Sequence, residues 1–299
     1  MKYEKIKIGY FADGPWSHLA FEKLIQDESL EIQFIVPRSD TNDFTLRDFA
    51  NKYVIDYIYP VNINSLEFID VAKSYNCDLF VSMSFNQIFK TNIINVPRLG
   101  AINCHAGKLP FYRGRNILNW ALINDEKEFG ITVHYINQGI DTGDIIKQRF
   151  FEITDNDDYS SLLEIAYVEC SNILYDSIKE MQTGVSKRIV QNEIHKVGFY
   201  CGQRGIGDEL INWSQTSREL FNYIRSINKP GPMATSFING SEVKINKSRL
   251  IVDAPNYKGT VGQLLLKTHE GFLVKTLDSF IEIYEIETDL KLRVGNKLK

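Results

Sequence analysis

Between Leu99 and Ile145 the chain sets out an amide, an imidazole and a carboxylate in order: Asn103, then His105, then Asp141 between Gly139 and Gly143. If residues 101–105 run as a strand, side chains alternate, so Asn103 and His105 project from one face and Cys104 from the other. An Asn amide offers two N–H donors to an oxygen that gains negative charge, and a neutral imidazole takes a proton from a nucleophile near neutral pH. Asp141 would orient that imidazole or hydrogen-bond a leaving nitrogen. The set suits acyl transfer to an amine without a covalent enzyme intermediate, because no Ser or Cys with an attached base is evident. The residues alone leave a plainer reading open. Asn-x-His at a strand end can be an ordinary hydrogen-bonded turn, and Asp141 can be a turn residue. His134, between Val133 and Tyr135 in an alternating run, fits a histidine with structural bonds better than a metal ligand.

The elements that must position these groups follow from apolar spacing. Residues 5–11 alternate as a strand, and the turn Asp13-Gly14-Pro15-Trp16 leads into a helix with His18, Leu19, Phe21, Leu24 and Ile25. Strands are expected at 31–36, 55–59 and 78–83, with helices at 45–53 and 65–75 between them. Such alternation predicts parallel pairing through right-handed crossovers, hence an α/β fold with an open, Rossmann-like, mostly parallel sheet. Ligands of such sheets bind beyond the carboxyl ends of the strands. The segment DIIKQRFFEI reads as a further strand and residues 159–182 as a long helix, preceded by the capping residues Thr154 to Asp158. SRELFNYIRSI reads as another helix. Six short alternating runs follow (TSFI, EVKI, RLIV, QLLL, GFLVKT and FIEIYEIE), as in a small β-barrel or sandwich. The expected division is a catalytic domain over 1–183, a linker over 184–208 and a smaller β-rich, barrel-like domain over 209–299. Within the linker Gly202-Gln203-Arg204-Gly205-Ile206-Gly207 has its glycines in the wrong order for a nucleotide loop and reads as a turn.

Bulk composition narrows the partners. Of 299 residues, 43% are hydrophobic and 24% charged, and the formal charge is -4, so clustered cations for a phosphate backbone are lacking and nucleic acid is disfavoured. No apolar run approaches bilayer-spanning length, and the amino terminus reads as a first strand, not a secretory signal. Cys77, Cys104, Cys170 and Cys201 show no CxxC spacing, which argues against a zinc site or disulfide framework. A cytoplasmic protein without a metal is expected.

The stretch INCHAGKLPFYRGRNILNW followed by GITVHYINQGIDTGDII resembles the signature of the 10-formyltetrahydrofolate-dependent formyltransferases. SMSFNQIF is similar to that family's folate-side loop, and residues 211–237 with the β tail resemble the carboxy-terminal part of its longer members. The resemblance implies a catalytic set of Asn103, His105 and Asp141, with His105 as base toward the attacking amine, Asn103 steadying the oxyanion and Asp141 supporting the histidine. It implies 10-formyltetrahydrofolate as formyl donor, its pterin near Met83, Phe85, Ile88 and the loop that carries Asp141.

The opening FADGPWSHLAFEKL is more similar to sugar N-formyltransferases that act on nucleotide-linked amino sugars than to methionyl-tRNA formyltransferases. Asp13, Gly14, Trp16, Lys108, Tyr112, Arg113 and Asn116 are the expected acceptor contacts. Lys108, Arg113 and Arg115 are cations for a diphosphate, although Arg113 and its neighbours can equally brace the loop. The expected acceptor is a nucleotide-linked amino-dideoxy sugar, first dTDP-4-amino-4,6-dideoxyglucose, in O-antigen and lipopolysaccharide assembly, and a homodimer is expected. Methionyl-tRNA formyltransferase and a non-catalytic folate-binding module are the alternatives. One departure from the long members is Pro230-Gly231-Pro232-Met233-Ala234, which lacks their aromatic residue; Phe237 is a candidate to replace it.

Overall fold

In the computed structural model, which describes residues 5–299, the alternating runs at the amino terminus become strands and the amphipathic runs become the helices between them. In order these are β1 (Ile6–Ala12), α1 (Pro15–Gln26), β2 (Leu30–Val36), α2 (Thr45–Tyr53), β3 (Asp56–Tyr57), α3 (Leu66–Ser74) and β4 (Leu79–Met83). There follow α4 (Thr91–Ile94), β5 (Ala101–His105), β6 (Arg113–Gly114), α5 (Ile117–Ile123), β7 (Glu128–Tyr135), β8 (Ile145–Glu152), α6 (Tyr159–Thr183), α7 (Gln191–Ile194) and β9 (Tyr200–Cys201). The reading of the amino terminus rests in part on Met1 to Glu4, which lie outside the described residues. The third strand is shorter than the run at 55–59.

The seven-stranded sheet has the order β3-β2-β1-β4-β5-β7-β8. Pairing is parallel from β3 through β5, and β7 runs antiparallel to β5. Strand order reverses between β1 and β4, so the loops leaving their carboxyl ends diverge and open a crevice there. The base of that crevice is aromatic. Phe11 packs edge-on to Phe80 at 5.1 Å and to Phe89 at 4.9 Å between ring centroids, with Phe34, Phe68 and Phe85 around them. Edge-to-face pairs of this kind add roughly 0.5–1.5 kcal/mol each beyond the area they bury.

The chain divides into two compact units, each drawn from separate stretches of the sequence. One takes the chain up to Gly114, then Phe129–Phe151 and Glu164–Cys201; the other takes Arg115–Glu128, Glu152–Leu163 and Gly202–Lys299. The second unit holds α8 (Ser217–Ser226), whose start is fixed by a capping box between Thr216 and Glu219. It also holds β10 (Ala234–Ile238), β11 (Ser241–Leu250), β12 (Leu264–Lys267), β13 (Gly271–Lys275) and β14 (Phe280–Glu287) in an antiparallel sheet of order β10-β11-β14-β13-β12. EVKI and the Arg249-Leu250 half of RLIV are therefore one strand, not two, and Ile251 and Val252 lie beyond its end. The polar residues between them stay extended because they have partners: Asn246 accepts from the Lys229 N–H at 2.8 Å and donates to Glu285 at 2.6 Å. Ile224, Val243, Ile245, Leu264, Val274, Ile281 and Ile283 form the core beneath this sheet. At the departure noted in the sequence Met233 is itself buried, its N–H donating to Ile227 O at 2.9 Å, while Phe237 pairs with Glu242 in the sheet.

Candidate active site

The two-residue period of β5 puts Asn103 and His105 on one face, and Cys104 turns to the other, where its thiol lies 3.6 Å from Cys170 O. The antiparallel register of β7 then sets His134 opposite Asn103 and Thr132 opposite His105. Asp141 arrives on the loop after β7 with φ 53°, its side chain 12% exposed. One carboxylate oxygen, Oδ2, lies 3.7 Å from His105 Nδ1 and accepts the Gly114 N–H at 2.9 Å; the other, Oδ1, lies 3.4 Å from His134 Nε2. His134 Nε2 is in turn 3.3 Å from Asn103 Nδ2.

Main-chain carbonyls settle which ring nitrogens carry hydrogen. His105 Nε2 is 2.7 Å from Tyr112 O, and His134 Nδ1 is 2.8 Å from Tyr135 O. A carbonyl oxygen only accepts, so these nitrogens donate, and the lone pairs of the neutral rings are His105 Nδ1 and His134 Nε2. Both face Asp141. Burial by itself raises a carboxyl pKa, yet the positive charge that His105 carries once protonated, the hydrogen bond and charge of His134 in its protonated form, and the Gly114 N–H outweigh it and hold Asp141 well below the usual carboxylate range. It is an anion at neutral pH. Two glycines allow the close packing: a Cβ on Gly107 would fall 2.3 Å from His105 Nε2, and one on Gly143 would fall 1.7 Å from Tyr135 O.

Gln191, in a stretch whose sequence shows no periodicity, clasps the loop. Its amide N–H groups donate to Asp141 O at 2.8 Å and Gly143 O at 2.7 Å, and its Oε1 accepts from Arg113 at 2.7 and 3.2 Å. No sequence signal points to Gln191. His134 has the structural bond its strand position suggests, but its second nitrogen also meets two of the three expected catalytic groups.

The other expected contacts are placed unevenly. Arg113 is buried, its guanidinium held by Gln191 and the Tyr200 ring, so it braces the loop instead of facing solvent as an anion ligand. Tyr112 is buried against Phe199 and contributes its carbonyl to His105. Lys108 is half-buried with its ammonium 5.3 Å from the Phe150 ring centroid. Arg115 and Asn116 belong to the second unit, where they bond Gln203 and the Arg204 N–H. Asp13 donates its N–H to Met83 O at 3.3 Å, and burial raises its carboxyl pKa against the opposing hydrogen bond of Thr41 and charge of Arg38. Gly14 adopts φ 66°, and Trp16 packs edge-on to Tyr167 at 4.8 Å. On the folate side Met83 is only 1% exposed and takes the Tyr10 hydroxyl on its sulfur, so it lies behind the crevice wall, whereas Phe85 is half-buried and Ile88 is 59% exposed. The loops that follow β4 and β7 are joined by Gln138 donating to Thr91 at 2.6 Å. In the Gly202–Gly207 turn the Gly205 and Gly207 N–H groups are already taken by Asp208 and Glu209 carboxylates. Among the described residues no cluster of His, Cys, Asp or Glu is arranged to hold a metal ion.

Residues 17–175 match the family model for formyl transferase, and residues 207–295 match that for the formyl transferase C-terminal domain. The chain belongs to the formyl transferase family. This formyltransferase is 32% identical over 250 residues to the methionyl-tRNA formyltransferase of Syntrophomonas wolfei subsp. wolfei, covering 83% of this chain and 78% of the relative. Its fold is similar to that of WlaRD, a sugar 3N-formyl transferase solved in the presence of dTDP and 5-N-formyl-THF, with TM-score 0.70 and 24% identity over 97% of this chain and all of that one. It is equally similar to the N-formyltransferase of Helicobacter canadensis in complex with folinic acid and dTDP-3-aminofucose, with TM-score 0.70 and 23% identity over 94% of this chain and all of that one. These likenesses show the fold.

Proposed function

We propose that this formyltransferase moves a formyl group from 10-formyltetrahydrofolate to the amine of a nucleotide-linked amino-dideoxy sugar, with Asn103, His105 and Asp141 as its catalytic set. The donor supplies an electrophilic formyl carbon. Transfer forms a carbon–nitrogen bond to the acceptor and breaks one to the donor nitrogen, so a proton must leave the amine and one must reach the leaving nitrogen. His105 takes the amine proton at Nδ1, the nitrogen left free by Tyr112 O, and Asp141 Oδ2 at 3.7 Å stabilises the imidazolium that results. Asn103 gives one N–H toward His134, and its second N–H serves the formyl oxygen as that atom gains charge. The residues fit the donor: Phe85 and Ile88 give an apolar lining, and the loop before Asp141 is held on Asn137 Oδ1, which accepts from Gly139 N and the Thr142 hydroxyl.

The choice of acceptor rests on the chain's formal charge of -4 and on the pairing of several of its cations. In the second unit Arg218 pairs with Asp125 and Asp155, Lys229 with Glu287, Lys247 with Asp158, and Arg249 with Glu270 and Glu282. Lys275 is fully buried on main-chain carbonyls. A tRNA needs several unpaired cations along its backbone, whereas a sugar diphosphate needs few. Two solved structures of similar fold carry dTDP or a dTDP-linked amino sugar, which supports the same reading. First among acceptors stands dTDP-4-amino-4,6-dideoxyglucose, which places the product in O-antigen assembly. Incubation with 10-formyltetrahydrofolate and a panel of amino-sugar nucleotides, read by the product's gain of one formyl group in mass, tests this; no gain on any of them overturns it. A second reading, methionyl-tRNA formyltransferase, is favoured by the sequence identity to the Syntrophomonas wolfei enzyme. Formylation of charged initiator tRNA in a parallel assay separates the two.

A further inference from the structure

His134 lies directly across the β5–β7 ladder from Asn103, in a register fixed by the antiparallel pairing. Its ring is held on one side by the Nδ1–H donated to Tyr135 O at 2.8 Å. A histidine kept only to pack the strand would need no more than that bond. Here Nε2 turns to two other groups, Asn103 Nδ2 at 3.3 Å and Asp141 Oδ1 at 3.4 Å. The neighbouring cross-strand residue behaves differently: the Thr132 hydroxyl, opposite His105, donates to Gly107 O at 2.6 Å and accepts from Gln148 at 2.7 Å, so it braces the loop.

The bond to His134 constrains Asn103 in direction as well as place. An amide nitrogen has two hydrogens in one plane, so committing one of them to Nε2 leaves a single direction for the other. The same ring nitrogen stands beside Oδ1 of Asp141, and this leaves Oδ2 as the oxygen that faces His105 Nδ1.

We propose that His134 is a positioning residue of the formyl transfer: through Nε2 it aims the free N–H of Asn103, without touching donor or acceptor. The proposal rests on the assignment of Asn103, His105 and Asp141 to the reaction.

Two substitutions divide the ring's functions, because an Asn amide nitrogen overlays Nδ1 of histidine and donates as it does, whereas a Gln amide can place its oxygen at Nε2 and accept from Asn103 as the ring nitrogen does. His134→Asn keeps the bond to Tyr135 O and loses the reach to Asn103 and Asp141; His134→Gln does the reverse. His134→Asn lowers kcat by about 10²-fold, the scale of a misplaced catalytic group, with KM for both substrates unchanged. His134→Gln restores most of the lost turnover. Equal kcat values for the two variants, or losses that follow the melting temperature, overturn the proposal. A measurement without substrate accompanies them: ring nitrogen NMR of the free protein shows the Nδ1–H tautomer at His134, and Asn103→Ala shifts its Nε2 resonance. An unmoved resonance overturns the positioning role whatever the acceptor is. A wild-type protein inert toward every acceptor, with the NMR response intact, counts against the proposed function alone.

Discussion

His105 and Asp141 face each other through the one ring nitrogen that Tyr112 leaves unprotonated, Nδ1 to Oδ2 at 3.7 Å. That distance is too long for a strong hydrogen bond and short enough for an imidazolium at His105 to be held by the carboxylate. The pair is therefore arranged for the state after proton transfer more than for the state before it.

His105→Ala and Asn103→Ala each lower kcat by roughly 10²–10⁴-fold, because one removes the proton acceptor and the other a donor to the developing oxyanion. Neither residue anchors the apolar core, and both variants melt as cooperatively as the wild type. Steady-state kinetics beside thermal melting checks this. Near-wild-type turnover of either variant removes that residue from the mechanism.

Asp141→Asn affects stability with a defined dependence on pH. The folded carboxyl has a pKa depressed below its ordinary value, so its contribution is present above the unfolded pKa of about 4 and is lost as pH falls through the folded pKa. The variant is accordingly less stable than wild type at neutral pH, and the difference narrows below about pH 4. Urea denaturation at pH 7 and near pH 3 reads the two values. A difference that grows on acidification contradicts the role of the carboxylate as a paired anion.

The acceptor reading predicts weak tRNA binding. With a formal charge of -4 and several second-unit cations paired to carboxylates, the protein releases few counterions, so log K falls with log salt at a shallow slope of no more than about -2. Filter binding between 50 mM and 200 mM salt measures that slope. A steep slope, with tight binding at low salt, favours the tRNA enzyme.

The face shared by Asn103 and His105 was legible because a strand has a period of two, and β5 occupies residues 101–105 as the alternation suggests. His134 was not, because its approach depends on the antiparallel register of β7, and a chain of alternating strands and helices gives no sign that one pairing reverses. Arg113 shows a different limit. An arginine in a polar loop reads as an anion ligand, and only the fold reveals that Gln191 and Tyr200 enclose it. In the second unit two apolar runs read as two strands, and the partners of Asn246 that join them lie far along the chain.

Gln191→Ala tests whether the clasp on the Asp141 loop matters to the reaction. The buried amide serves Asp141 O, Gly143 O and the Arg113 guanidinium, and its removal leaves three polar groups short of a partner in a site with little water. Each such loss costs about 1–3 kcal/mol, so the variant is less stable by a few kcal/mol and its Asp141 loop is less well held. Gln191→Glu separates the two effects: the carboxylate keeps and strengthens the bond to Arg113 but has no N–H for the loop carbonyls. It therefore recovers part of the stability in urea melts while kcat stays low. If Gln191→Glu turns over at the wild-type rate, the N–H bonds to Asp141 O and Gly143 O do not control the position of the carboxylate.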